Sequence, residues 1–201
     1  MNPKFWLINN TDNMILRVIN GFRAFCTQSY SEMNRKRGLQ WSASRIIEAA
    51  VPSTGIINST GVYYSIIKTG SLPVDLKQRQ FAYSGTGLNA DIFENPVYTG
   101  GSPDPIYNAN AVTPHVFELQ ILTGFTLTSE GDKFAATIYA LGSSSQQSKG
   151  ESNAVYGENY ILAPNSSYLL KFWSKDSQNQ TIAARIEGFE GELDVPNGDL
   201  T

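Results

Sequence analysis

From Gly61 onward, short runs rich in Val, Ile, Tyr, Phe and Thr recur between clusters of Gly, Pro, Asn and Ser, the pattern of short strands joined by turns. The cleanest run is Val116 to Thr123. There Phe117, Leu119 and Ile121 alternate with Glu118 and Gln120, the period of two of a strand with one buried and one wet face. Val62 to Lys68, Val74 to Tyr83, Leu88 to Phe93, Phe125 to Thr128, Ala135 to Leu141, Tyr160 to Leu162, Tyr168 to Trp173 and Ile182 to Leu193 extend the series. With about eight or nine strands, the chain has enough for two packed sheets. Ser84-Gly85-Thr86-Gly87 predicts a hairpin between the Val74 and Leu88 runs. Glu94 to Pro105, with three prolines and two adjacent glycines, predicts a long surface loop that supplies no central strand. Phe117, Leu119, Ile121, Ile138, Leu170, Ile182 and Ile186 are the predicted core.

The N-terminal stretch reads differently, and the change falls near Pro52-Ser53-Thr54-Gly55. Ile15, Val18, Ile19 and Phe22 fit a helical face, while their β-branched content also fits a strand, so both remain open. The expected organisation is an N-terminal arm over 1–54, an all-β, jelly-roll-like two-sheet β-sandwich over 55–195, and a polar tail over 196–201. The arm is expected to pack on its own sandwich or on a neighbouring subunit, because leaving Trp6, Phe22, Phe25 and Trp41 in water would open a large apolar surface.

Composition narrows the chemistry. Gly, Asn, Ser and Thr supply 67 of the 201 residues and charged residues only 16%, which suits many turns and opposes a coiled coil. A net charge of −3 gives no basic field for general capture of nucleic acid. One cysteine, Cys26, cannot form an internal disulfide, and one histidine, His115, cannot supply a Cys/His zinc cluster. No apolar run reaches the ~18 residues of a membrane span. Nothing at the N-terminus resembles a secretory signal, so synthesis in a cytoplasm is expected and the four Asn-x-Ser/Thr sequons carry little weight.

Candidate active residues are sparse. Gly85-Thr86-Gly87-Leu88-Asn89-Ala90 matches a dinucleotide-loop spacing, but a strand-like segment ending at Pro96 follows where a helix is required. His115 lacks a nucleophile-elbow partner. Glu187, Glu190, Glu192 and Asp194 contain the minimum for a glycosidase pair, yet Glu190, Glu192 and Asp194 read as one solvated strand face. Asp104 alone is far short of a calcium site. No enzyme activity, cofactor or metal is expected. Arg35-Lys36-Arg37 forms a basic run suited to a solvated face or an acidic partner. Trp6 and Trp41 beside it are candidate interface anchors, whereas Trp173 reads as part of a central strand.

Several segments carry a family likeness. Ile67 to Leu76, Ile92 to Gly101 and the Asn-x-Asn turn in Tyr107-Asn108-Ala109-Asn110 follow one another as a strand ending in Thr-Gly, a strand ending in an acidic residue and proline, and a tight turn. With Asn34 to Ser44 upstream and Ile161 to Leu170 downstream, this order resembles the β-sandwich virion proteins of tailed bacteriophages. The likeness covers about residues 34–190 and rests on turns and strand edges rather than on a catalytic signature. It implies a structural protein that decorates and stabilises the capsid. Its partner would be the major capsid protein or another virion protein, and it would work as a homo-oligomer on the virion surface after synthesis in the bacterial host. Trp6, Arg35, Arg37 and Trp41 are the expected interface. The alternative is a tail or fibre module that binds a host-surface glycan through Tyr98, Tyr107 and Asp104.

Overall fold

A computed structural model describes residues 8–9, 14–18, 25–29, 34–48, 62–83, 87–141, 160–174 and 181–191. Near the N-terminus, β1 (Ile8–Asn9), β2 (Met14–Val18) and β3 (Phe25–Ser29) form a small antiparallel sheet in that order. Met14 lies opposite Ser29 and Val18 opposite Phe25, so the stretch left open between helix and strand is strand. Its β-branched side chains suit a pleated surface better than a helical turn.

Two larger antiparallel sheets make the body. One runs β13 (Tyr160–Leu162), β6 (Val74–Tyr83), β15 (Thr181–Glu190), β4 (Gln40–Glu48) and β9 (Tyr107–Asn108). The other runs β11 (Asp132–Lys133), β7 (Gly87–Glu94), β14 (Ser167–Ser174), β5 (Val62–Lys68), β10 (Gln120–Ser129) and β8 (Val97–Asp104), with β12 (Ile138–Leu141) also on β7. Pairing is nested: β4 with β15, β5 with β14, β6 with β13, and β7 with β12. Successive nested pairs fall in alternate sheets, which is the jelly-roll form of the sandwich.

Three sequence expectations are corrected. The sandwich does not begin at residue 55: β4 lies inside the five-stranded sheet between β15 and β9, so most of the presumed arm from Gln40 onward is central strand. The Val74 and Leu88 runs do not form a hairpin, because β6 and β7 belong to different sheets. The proline-rich segment is not a loop throughout. Val97–Asp104 is strand β8, at the sheet edge where a Pro103 without an N–H donor is tolerated.

The inner faces of the sheets bury Trp41, Leu76, Ile121 and Leu170 toward one end and Phe81, Leu88, Ile138 and Ile182 toward the other. Leu119 is buried too, and the predicted core residues Phe117 and Ile186 pack half-buried against this interior. A third cluster lies on the outer face of the seven-stranded sheet. Ile66 sits between its register partners Leu169 and Leu122, and Ile66 and Leu169 are fully buried there. Their cover comes from Tyr98 on β8 and from Phe125 and Leu127 on β10. β10 pairs with β5 only through Gln120–Leu122 and thereafter with β8 alone. Gly100, Gly101 and Gly124, with φ of 72°, 106° and 68°, supply the left-handed backbone at this departure. The hairpin thereby forms a flap over the sheet.

Candidate docking surface

At the rim beside β4 and β9, residues 34–36 form a single helical turn closed by Gly38 with φ of 76°. A Cβ at Gly38 would overlap the Thr113 carbonyl oxygen, so only glycine permits the close approach of these two segments. The carbonyls at the end of such a turn need donors, and two asparagines provide them. Asn110 Nδ2 donates to Arg35 O at 3.2 Å and Lys36 O at 3.1 Å, and Asn108 Nδ2 donates to Gly38 O at 2.7 Å. The other side of each amide holds its own loop. Asn108 Oδ1 accepts the Asn110 N–H, and Asn110 Oδ1 accepts the N–H groups of Val112 and Thr113. Backbone bonds from Ala109 to Gln40 O and from His115 to Gly38 O complete the attachment.

This scaffold presents Arg35, Lys36 and Arg37, all exposed, on one side of the joint. On the other side it presents Tyr107, Val112 and Val116, at 61%, 89% and 85% exposure. Scattered apolar side chains on a surface need no explanation, but these occupy one short loop fixed against a basic turn. Beneath the loop, the fully buried Glu190 carboxylate accepts the N–H groups of Glu118 at 2.9 Å and Leu119 at 2.7 Å. His115 Nε2 lies 3.4 Å from Glu190 Oε2. Glu118 turns outward and accepts the backbone N–H and hydroxyl of Ser71, which hold its carboxyl below the usual glutamate range.

A second polar cluster lies on the outer face of the seven-stranded sheet. Asp91 accepts from Thr137 at 2.6 Å and from the Trp173 indole at 2.7 Å, and pairs with Lys133 at 2.9 Å. Burial pushes its carboxyl up, but the hydrogen bonds from Thr137, Lys133 and Trp173 outweigh burial and hold it below the usual range. Every oxygen of Asp91 is thus turned to internal partners. The cluster fixes β7, β14 and the segment before β12 to one another.

The structure divides the sequence-derived candidates. Arg35 and Arg37 are on the basic turn and exposed. Trp41 is not an interface anchor: it is 0% exposed within the sandwich interior, where β4 is paired on both sides. Trp6 lies outside the described residues. The proposed glycan contacts are not assembled. Tyr98 packs edge-on against Phe125 on the flap, Asp104 accepts from Thr123, and Tyr107 belongs to the other sheet. The C-terminal carboxylates do not share a solvated face. Glu187 pairs with Arg185, a register shift between Glu187 and Gly188 intervenes, and Glu190 turns inside; Glu192 and Asp194 lie outside the described residues. Among the described residues, no group of three or more His, Cys, Asp and Glu side chains could hold a metal, and no helix is long and apolar enough to cross a membrane.

Sequence reasoning marked the Asn-x-Asn turn and the basic run separately but missed that one holds the other. Their separation along the chain hides the contact, although a glycine after three cations and two asparagines two apart are each turn signals. Comparison of the chain with protein-family models, curated proteins and solved structures returned no match.

Proposed function

We propose that this protein is a structural component of a tailed-bacteriophage virion that attaches to the capsid surface and stabilises it, with the major capsid protein or another virion protein as partner. The observation that carries the reading is the joint between the Arg35–Arg37 turn and the Tyr107–Val116 loop. Cationic and apolar side chains share one surface there, held by asparagine amides and a glycine that admits no side chain. Preformed backbone lowers the ordering cost of binding, and arginine and tyrosine are the residue types that dominate protein interfaces. Jelly rolls recur in viral capsid proteins, which supports the setting without deciding the task. The interface would bury on the order of 1,000 Å² or more. Homo-oligomers on a repeating lattice would turn several weak contacts into tight attachment.

The test is binding to purified capsids that lack the protein, followed by imaging of a labelled copy. The intact chain is expected to co-sediment with shells and to label them all over. R35E combined with R37E, and V112D alone, are expected to abolish attachment while leaving the unfolding midpoint unchanged. Full attachment by both variants overturns the assignment of this surface. Labelling confined to one vertex overturns the capsid role in favour of a tail module.

A further inference from the structure

The docking reading makes no use of the group beneath the loop. Glu190 is fully enclosed at the end of β15, and both its oxygens are committed to the N–H groups of Glu118 and Leu119, where the chain enters β10. A buried carboxylate facing two N–H donors is favoured in its ionised form. The only other printed polar neighbour of that carboxylate is the imidazole of His115. Its Nε2 is 3.4 Å away, buried, and without a hydrogen-bond partner.

The ring has little freedom to leave. The His115 N–H donates to Gly38 O at 3.3 Å, its carbonyl accepts from Asn108 Nδ2 at 3.1 Å, and its ring stands edge-on to Phe117 with centroids 5.5 Å apart. A neutral ring gives Glu190 at best one long hydrogen bond, and with the lone pair on Nε2 it gives a repulsion. A protonated ring places a cation against the carboxylate in a site closed to solvent, where attraction is far less screened than at the surface.

Charges from every neighbouring element act on the ring. Glu190 from β15 favours protonation, as does Glu118 on the same segment, although Glu118 is exposed and already bonded to Ser71. Arg35, Lys36 and Arg37, across the Gly38 contact, oppose it. These three are exposed, so water and salt weaken their effect, whereas Glu190 is in contact and buried. The contact with Glu190 decides the sign.

We propose that His115 and Glu190 form a proton-operated clasp that fastens residues 108–119 more tightly in mildly acidic than in mildly alkaline solution. Its consequence for attachment rests on the docking reading, since the clasp lies under the loop that carries Val112 and Val116. The clasp itself is read on the purified full chain with no capsid present.

The experiment is amide hydrogen exchange of residues 108–119 at about pH 5.5 and about pH 8, on either side of ordinary imidazole titration, corrected for intrinsic exchange rates. Protection in the intact protein is expected to be several-fold greater at the acid pH, with β5 and β14 as unchanged internal controls. H115Q keeps a polar side chain that cannot titrate and is expected to remove the difference while the protein stays folded. E190Q, where it folds, is expected to do the same. Equal protection at both pH values in the intact chain, or an undiminished difference in H115Q, overturns the clasp. A protein that shows the clasp yet fails to bind shells overturns only the docking role.

Discussion

The Tyr64 hydroxyl donates to Glu130 Oε1 at 2.9 Å, tying the middle of β5 to the far end of the flap. The same oxygen receives Lys171 Nζ at 2.7 Å, and the ammonium lies 5.9 Å from the Tyr64 ring centroid and 5.7 Å from that of Phe93. One carboxylate therefore closes the flap over Ile66 and Leu169. Burial first, and then the hydrogen bond and charge of Glu130, push the Tyr64 hydroxyl up to about 12.

The alkaline behaviour follows from that shift. A hydroxyl raised above its ordinary value of about 10 stabilises the fold below that value. The contribution is lost as pH rises from there through about 12. E130Q is expected to bring the Tyr64 transition down toward the ordinary range in a tyrosinate absorbance titration. At neutral pH it should cost about 1 kcal/mol in denaturant unfolding, the low end for a charged hydrogen bond because the site is partly open to water.

Asp91 sets the acid side. Its carboxyl is held below the ordinary range, so its contribution is complete above about pH 4 and is lost as pH falls through the lowered value. D91N is expected to destabilise the protein at neutral pH, where it leaves Lys133 without its partner, and to flatten the dependence of stability on pH below about 4. Unfolding midpoints of both proteins along a descending pH series measure this directly.

Asn110 separates shape from charge. N110D preserves the acceptor for the Val112 and Thr113 N–H groups but turns a carboxylate oxygen toward the carbonyls of Arg35 and Lys36. It is expected to lower stability by roughly 1–2 kcal/mol and to raise hydrogen exchange around the 34–38 turn more than N110A, which only removes the bonds. Equal effects of the two variants would show that the donors facing the carbonyls contribute nothing.

Stability and docking should separate between Trp41 and Arg35. W41A empties a site in the closed interior and is expected to cost about 3–5 kcal/mol, seen as a large fall in the thermal midpoint. R35E alters an exposed side chain and is expected to leave that midpoint within about 0.5 kcal/mol of the original.

The two-sheet class was legible because Leu119 and Ile121 alternate with Glu118 and Gln120, and that period of two survives in the burial pattern. Trp41 was misread because β4 lies beside charged residues in sequence while its neighbours in the sheet come from β15 and β9. Glu190 looked solvated because the strand was taken as regular. The register shift after Glu187 reverses the faces, and nothing in the local composition announces it. The flap was hidden for a related reason: prolines and glycines excluded a central strand but could not reveal an edge strand folded over an apolar face.

Nesting has a consequence for how the chain acquires its shape. Gln40 lies opposite Phe189 and Glu48 opposite Thr181, so the outermost pair joins segments from near opposite ends of the chain. Such distant partners carry a high loop-closure cost and place folding in the slow, millisecond-to-second regime of all-β topologies. During synthesis, β4 emerges early, yet its only long partner is among the last segments made. Until then its edge is an open template for pairing with other chains. Termination before Thr181 would strip β4 and β6 of their shared neighbour and yield aggregates rather than a smaller sandwich.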